Sequence, residues 1–176
     1  MVPGNQKKVV GVIGDSTFFH TGVNSLLDVA YNQSNCVNII LDNRITGMTG
    51  HQQNPGTGYT AQMQPTPVID LEAVVRACGI HQIRVIDPNN LKEVSDALDW
   101  AVALKEPSVI ITRWPCVLKR LSQADLEEFG SDVFKEKCKV DTAKCIGCKK
   151  CVTTGCPALS IDIKAKKAVI DATSCV

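Results

Sequence analysis

The sequence is poor in aromatic residues, in net charge and in long apolar segments. Aromatic residues make up 5% of its 176 residues, and the formal net charge is +1 at pH 7. Nucleic-acid-binding proteins usually carry a clear basic excess and aromatic stacking residues, so this composition argues against nucleic acid as the main partner. No apolar segment approaches the roughly 20 residues that cross a bilayer, so no membrane partner is expected either.

A secretion signal is also missing from the pattern. Residues 1–8 carry charge, but Gly14–Asp15 interrupts the apolar run that follows them, and a signal peptide needs a longer apolar stretch. A cytoplasmic location is therefore the expectation. With 44% hydrophobic and 21% charged residues, the composition is typical of a globular protein, and the length suits one α/β domain with a small appendage.

The nine cysteines are the most informative residues in the composition. Five of them lie within residues 138–156, and Cys175 is the penultimate residue. In a chain without a secretion signal, such a cluster indicates metal binding rather than disulfide bonds. The scattered Cys36, Cys78 and Cys116 stand in apolar surroundings, and we expect them to be small buried residues.

Strands and helices alternate along most of the chain. We predict buried strands at 8–13 and 36–41, further strands at 82–86 and 108–112, and helices at 22–32, 70–78 and 90–104. This alternation predicts an α/β fold with a doubly wound parallel sheet. The Gly-, Gln- and Pro-rich stretch 44–67 has no periodicity, and loops of that length are usually functional.

The chain changes character after Arg120. The segment that follows is polar and acidic, and cysteines dominate from Cys138 onward. We therefore predict a first domain at 1–121, a linker with a short helix at 122–137, and a cysteine-rich module at 138–176.

Polar residues follow the first two predicted strands where each strand ends. These residues are Gly14–Asp15–Ser16 and Asp42–Asn43. Ligands of parallel sheets bind at the carboxyl ends of strands, so Asp15 and Asn43 should reach one crevice. Asp15, the Asn43 amide oxygen and the Ile45 carbonyl could bind Mg²⁺, and a helix beginning near Thr21–Gly22 would direct its amides at a phosphate. Many α/β proteins share this spacing without binding a metal.

These residues also carry a family resemblance. The turn 14–16 followed later by Asn43 resembles the thiamine-diphosphate motif, with Ser16 where many members have Gly. The strings GDSTFFHTG (14–22) and LDNRITGMTGHQ (41–52) resemble the alpha subunits of indolepyruvate ferredoxin oxidoreductases, from about Lys8 to the end of the chain. The resemblance implies a thiamine-diphosphate-binding fold, with cofactor contacts from Gly14, Asp15, Ser16, Thr17, Asn43, Ile45, Thr46, Gly47 and Thr49. The same resemblance places His20 and His51 beside the cofactor as candidate catalytic residues, although an isolated histidine is as often structural.

The spacing Cys145-x2-Cys148-x2-Cys151-x4-Cys156-Pro157 favours an iron–sulfur cluster over zinc, because zinc usually takes two separated Cys-x2-Cys pairs. The run resembles one half of a bacterial ferredoxin, with four residues rather than three before the last cysteine. It implies a truncated ferredoxin-like α+β module with a 4Fe-4S cluster on Cys145, Cys148 and Cys151. Cys156 and Cys175 would then belong to a second cluster, whose further ligands we expect to lie beyond the end of this chain.

The resemblance also implies an activity. The intact enzyme would decarboxylate indolepyruvate or another aryl-2-oxoacid oxidatively, transfer the acyl group to coenzyme A and pass electrons to ferredoxin. A beta subunit would complete the enzyme, and this chain alone is expected to be an inactive fragment. Two alternatives stay open from the residues: a related oxidoreductase for pyruvate or branched-chain oxoacids, and a non-catalytic iron–sulfur electron-transfer protein that kept the fold.

Overall fold

The computed structural model describes residues 8–134 and 137–175. The chain divides into two compact units, Met1–Glu127 and Glu128–Val176, and the division falls inside the predicted linker. Among the described residues no helix has the length and apolar character needed to span a membrane.

The first unit is built on a parallel sheet of four strands. The strands are β1 (Val9–Gly14), β2 (Cys36–Asp42), β3 (Gln82–Ile86) and β4 (Ser108–Arg113). Their order across the sheet is β1-β2-β4-β3, and each neighbouring pair is parallel. All four strands were predicted, because each is a short β-branched run bounded by polar or Gly residues.

Helices cover both faces of this sheet, which makes it doubly wound. On one face α2 (Val23–Tyr31) and α3 (Leu71–Ala77) contribute to a core that includes Leu26, Val75 and Ile111. On the other face α4 (Leu91–Ala103) contributes Ala97 and Ala101 to a second, smaller core. The apolar spacing of each helix explains this arrangement, since residues three and four apart share one face.

The prediction that β1 is a buried strand is wrong. β1 is the outermost strand of the sheet, and both Val9 and Val12 are 62% exposed. An apolar β-branched run is typical of a strand buried on both faces, but the position of a strand within a sheet depends on the other strands. The local pattern therefore identified the strand and missed its place at the edge.

The helix after β1 also begins earlier than predicted. Helix α1 (Asp15–Thr17) starts directly at the end of β1 and continues through a π-helical turn at Phe18–Gly22 into α2. Gly22 lies inside this run, and a Cβ there would come within 2.7 Å of Ile13 Cδ1. Gly22 is thus explained by close packing against β1 rather than by a helix start, and the first helical amides belong to the Asp15 turn.

The start of α3 agrees with the sequence and can be tested. The Asp70 side chain accepts hydrogen bonds from the Glu72 and Ala73 amides at 2.9 and 3.2 Å, as an N-cap residue should. We expect Asp70→Ala to lower the free energy of unfolding by about 1 kcal/mol in chemical denaturation. Asp99→Ala, an exposed change within α4, is the control and should have a much smaller effect; equal losses would contradict the capping role.

The long segment between β2 and α3 contains no helix or strand. It is organised instead by isolated bridges that join Thr46 to Gln52 and Tyr59 to Pro65. The Ile69 amide also donates to the Pro55 carbonyl at 2.9 Å. The loop therefore has a defined backbone without regular structure, which is the form expected of a binding loop.

The second unit contains a short 3₁₀ helix (Lys150–Thr154) and an antiparallel pair, β5 (Leu159–Asp162) and β6 (Lys167–Ile170). Both strands are short apolar runs on either side of a lysine-rich turn. Gly147 lies against this turn, since a Cβ on it would come within 2.3 Å of the Lys166 carbonyl oxygen. The cysteine loop and the β5–β6 turn are therefore packed together.

Candidate functional site

The candidate site is centred on Asp15, at the point where β1 becomes α1. Its side chain is only 3% exposed. The carboxylate accepts hydrogen bonds from the Ser16 amide at 2.7 Å and from Asn54 Nδ2 at 3.3 Å, and the Ile45 amide faces it as well. Each of these three donors is a neutral N–H group, and among the described contacts the carboxylate is stabilised by such groups alone.

This environment makes the charged form of Asp15 less favourable than it is in water. Burial raises the pKa of Asp15 from 3.8 to about 6. The nearby Asp42 carboxylate also raises this pKa, whereas the hydrogen bonds from Ser16, Asn54 and Ile45 lower it in part. The group is still mostly ionised at pH 7, but ionisation there is costly. A cation bound at this carboxylate would remove much of that cost.

Asn43 and Ile45 lie beside Asp15, as predicted. β1 and β2 are hydrogen-bonded neighbours with Gly14 opposite Leu41, so their ends meet at one edge. The Ile45 amide donates to Asn43 Oδ1 at 3.1 Å and also faces the Asp15 carboxylate. One amide is therefore shared by the oxygens of both candidate ligands.

Open space lies beside these residues. A Cβ on Gly14 would meet nothing within 4 Å, whereas one on Gly47 would lie 3.6 Å from Asn43 Nδ2. Gly14 has an extended backbone with φ −76°, so the turn does not require glycine for its conformation. The free volume at Gly14 suits a ligand that approaches the backbone closely.

The remaining predicted cofactor residues occupy different positions around the loop. Thr46 Oγ1 donates to Ser16 Oγ at 2.8 Å, which ties the loop to the start of α1. Thr17 is exposed, and its carbonyl accepts from Thr21 Oγ1. Thr49 is exposed too, and bonds to Gln52 at 2.6 Å, away from the contacts of the Asp15 carboxylate described above.

The two candidate histidines lie in different surroundings. His20 borders a groove of about 310 Å³ that Asn54 and Tyr59 also line, and Asn54 connects that groove to Asp15. His51 is exposed and has a positive φ of 63° in the loop. His20 thus shares a groove with Asn54, the partner of Asp15, while no described contact links His51 to Asp15.

Asn54 was missed in the sequence, although it is a direct partner of Asp15. It is 5% exposed, and its Oδ1 accepts from the Gly56 amide at 2.9 Å while its Nδ2 donates to Asp15. The available signal was Asn54–Pro55–Gly56, a combination typical of a tight turn stabilised by the asparagine side chain.

A buried charge network beside the site was also missed. Asp42 accepts a hydrogen bond from Arg113 Nε at 2.8 Å and forms an ion pair with Arg44, whose Nε lies 3.3 Å from Asp42 Oδ2. Arg113 also reaches Glu72 at 3.3 Å. The network joins the ends of β2 and β4 to α3. The network holds the backbone on both sides of Asn43. The sequence did not predict it, because its members come together only through the order of the strands in the sheet.

The segment after β4 supports the same region. The Cys116 amide donates to the Asn43 carbonyl at 2.9 Å. Further along, Lys119 and Asp125 form a fully buried ion pair, and Asp125 also accepts from the Ser122 amide at 2.7 Å. These contacts all reach Asp125 Oδ2, and they tie residues 119–125 together.

The cysteines of the second unit could bind a metal through sulfur, but those that the structure describes are not arranged as a metal site. In the described part of the chain, no group of three or more His, Cys, Asp or Glu side chains is arranged to hold a metal ion. Hydrogen bonds from the Ala168 and Gly147 amides lower the pKa of the Cys145 thiol, and Lys167 acts in the same direction. Cys148 and Cys156 are exposed, and Cys151 and Cys175 are half-buried.

Fold and site together define a class of protein. The protein is an α/β protein with a doubly wound parallel sheet, and a buried carboxylate, an asparagine and free volume lie at two neighbouring strand ends, where such sheets commonly bind ligands. The family described as "Thiamine pyrophosphate enzyme, C-terminal TPP binding domain" matches residues 2–112. The chain belongs to this family.

Curated relatives confirm the resemblance seen in the sequence. Indolepyruvate oxidoreductase subunit IorA of Pyrococcus horikoshii is 40% identical over 174 residues, which are 98% of this chain and 26% of that subunit. The subunit of the same name from Archaeoglobus fulgidus is 38% identical over 170 residues, 96% of this chain and 26% of that subunit. The chain thus spans about a quarter of the length of these relatives.

A solved structure supports the fold. A 2-oxoglutarate:ferredoxin oxidoreductase from Magnetococcus marinus superposes with a TM-score of 0.57 at 16% identity, over 71% of this chain and 44% of that chain. At this identity the similarity concerns the fold alone, and it confirms the parallel α/β class.

Proposed function

We propose that this chain binds thiamine diphosphate through Mg²⁺ as part of a 2-oxoacid oxidoreductase. The observation that carries the proposal is the buried Asp15 carboxylate, which faces only neutral donors in its described contacts. A buried carboxylate next to a side-chain amide oxygen and free volume is well suited to a divalent cation that carries a phosphate group. Membership of the thiamine pyrophosphate family supports a diphosphate as that phosphate group.

The donor set at this site fits magnesium in its chemistry. Mg²⁺ prefers oxygen ligands and usually keeps water and phosphate oxygens in most of its positions. Asp15 would provide a carboxylate oxygen, Asn43 an amide oxygen and Ile45 a backbone carbonyl. Asn54, hydrogen-bonded to Asp15, would keep that carboxylate in one orientation.

The other residues of the site would bind and orient. When bound, thiamine diphosphate supplies the carbanion chemistry that decarboxylates a 2-oxoacid. The first amides of α1 and the space at Gly14 would receive the diphosphate, because a helix start concentrates N–H groups and positive dipole. Ser16 and Thr46, hydrogen-bonded to each other, would keep the loop closed against α1, and His20 would line the groove beside it.

The relatives support a proposal for the substrate and the partners. Because the relatives are indolepyruvate oxidoreductase subunits, we propose indolepyruvate or another aryl-2-oxoacid as substrate, coenzyme A as acyl acceptor, ferredoxin as electron acceptor and a second subunit as partner. Cys145, Cys148 and Cys151 would hold a 4Fe-4S cluster. Backbone N–H donors to sulfur, as found at Cys145, are among the groups that tune such clusters.

Removal of one metal ligand tests the proposal. Asn43→Ala should weaken Mg²⁺-dependent binding of thiamine diphosphate at least about tenfold in isothermal titration calorimetry, since one coordinating oxygen is lost. Excess EDTA should abolish binding to the unmodified chain. Asn35→Ala, an exposed change just before β2, is the matched control. Metal-independent binding, or equal affinity of the Asn43 and Asn35 variants, would refute the site.

A further inference from the structure

Positive charge is concentrated in residues 137–170, which belong to the second unit. The charged residues in 137–170 are eight lysines and two aspartates, which gives this segment a net charge of +6. The net charge of the whole chain is +1. The rest of the chain is therefore acidic on balance. Such an asymmetry produces a positive field around this segment, which attracts anionic partners over longer distances than direct contacts do.

Both aspartates in this stretch are engaged in local turns. Asp141 accepts from the Ala143 and Lys144 amides at 3.0 and 3.2 Å. Asp162 accepts from the Lys164 and Ala165 amides at 2.8 and 3.0 Å. Their carboxylates therefore stabilise the backbone next to the lysines, while most lysine ammonium groups remain exposed to solvent.

The lysines lie on two segments that are packed together. Gly147 in the cysteine loop contacts the backbone of Lys166 in the β5–β6 turn, and the Ala168 amide donates to Cys145 Sγ at 3.4 Å. Lys167 also donates to the Thr142 carbonyl at 3.0 Å. We call residues 144–150 and 163–166 together the lysine surface; its exposed lysines are Lys144, Lys149, Lys150, Lys164 and Lys166.

Two large apolar side chains project from the same surface. Ile146 is 86% exposed and Ile163 is 88% exposed, one on each of the two packed segments. Apolar residues surrounded by charged ones are the usual composition of a protein interface, in which the apolar part is desolvated and the rim sets orientation and association rate.

We propose that the lysine surface docks a small acidic electron-carrier protein. The inference rests on the proposed function, because the surface includes the loop of Cys145 and Cys148 and a docked carrier would therefore lie against the proposed cluster ligands. Charge complementarity selects an acidic protein, and Ile146 and Ile163 favour a folded partner with an apolar patch over a polyanion such as DNA.

Charge reversal on the full chain tests the electrostatic part. With an acidic bacterial ferredoxin as the probe in biolayer interferometry, Lys150→Glu/Lys164→Glu should weaken binding about tenfold at low salt and flatten its salt dependence. Arg76→Glu/Lys105→Glu, exposed positions of the first unit, changes the net charge equally and should shift affinity less than about twofold. Equal weakening by both pairs would overturn the proposal.

The apolar part is tested by Ile146→Ser/Ile163→Ser. This variant should weaken ferredoxin binding about tenfold at low and at high salt alike, because burial of apolar area is not screened. Duplex DNA, the second probe, should bind weakly and without sensitivity to these isoleucines; DNA binding as tight as that of ferredoxin would overturn the proposal.

Failure of the proposed function can be distinguished from failure of the docking surface. Iron and sulfide content and visible absorbance of each reconstituted variant report the cluster, and calorimetry with thiamine diphosphate reports the first unit. Loss of ferredoxin binding in the lysine variant with an intact cluster supports the docking surface. Ferredoxin binding that is unchanged in both surface variants refutes it, whatever the cluster content.

Discussion

Asp15→Asn should stabilise the ligand-free protein at pH 7 while removing its Mg²⁺-dependent binding of thiamine diphosphate. Burial raises the pKa of Asp15 to about 6 from 3.8, so ionisation in the folded state costs at most about 3 kcal/mol. The amide avoids that cost but loses about 1 kcal/mol, because its Nδ2 cannot accept the hydrogen bond from Asn54. We expect a net gain of about 2 kcal/mol in the free energy of unfolding, and a loss of cofactor affinity above about 100-fold.

The direction of the pKa shift of Asp15 determines how the stability of the folded protein changes with pH. The pKa of Asp15 is higher in the folded than in the unfolded chain, so protonation favours folding. This contribution is complete below pH 3.8 and is lost as the pH rises through about 6. Asp15→Asn should therefore be slightly less stable than the unmodified chain near pH 3.5, gain stability relative to it between pH 4 and 6, and keep a constant advantage above pH 7.

Denaturant unfolding at a series of pH values and calorimetry with Mg²⁺ and thiamine diphosphate check both halves of this prediction. Asp99→Asn, which removes the same charge from an exposed helix position, should change neither property. If the stability difference between Asp15→Asn and the unmodified chain does not vary with pH, ionisation of Asp15 carries no cost in the folded state. Full cofactor binding by Asp15→Asn would show that the cofactor does not use this carboxylate.

Gly147→Ala should disrupt the second unit. A Cβ at this position would lie 2.3 Å from the Lys166 carbonyl oxygen, and Gly147 has φ +69°. The contact is with backbone, so relief requires the cysteine loop and the β5–β6 turn to separate. We expect a loss of more than about 2 kcal/mol in local stability and poor reconstitution of an iron–sulfur cluster.

Gly155→Ala is the matched control for Gly147→Ala. Gly155 has nearly the same backbone conformation, φ +72°, but its Cβ would meet nothing within 4 Å. It should therefore show only the conformational cost of a left-handed residue, about 1 kcal/mol. Hydrogen exchange of β5 and β6 amides and visible absorbance after iron and sulfide addition measure both effects; similar losses in the two variants would contradict the packing argument.

The sequence predicted the elements of the first unit well. β2 and β4 are short β-branched runs, and α3 begins at the expected aspartate cap. These are local properties, because burial, periodicity and capping depend on residues near in the chain. The position of β1 at the sheet edge and the early helix start at Asp15 depend on which segments pack together, and local pattern does not contain that information.

The same distinction applies to the candidate site. Asp15, Asn43 and Ile45 were predicted together because the carboxyl ends of parallel strands share an edge. Asn54 and the network of Asp42, Arg44 and Arg113 were not predicted, since their partners are distant in the sequence. The predicted cofactor contacts, magnesium ligands and cluster ligands all remain proposals.

The sequence by itself determined the alternation of strands and helices, the two polar strand ends and the cysteine spacing, because each is a pattern of neighbouring residues. Only the tertiary structure decided that β1 is an edge strand, that Asn54 orients Asp15 and that the lysines share a surface with Ile146 and Ile163. The physical reason is that burial and charge–charge contacts arise between segments far apart in the chain. Their strength depends on distances and solvent exclusion that exist only after folding.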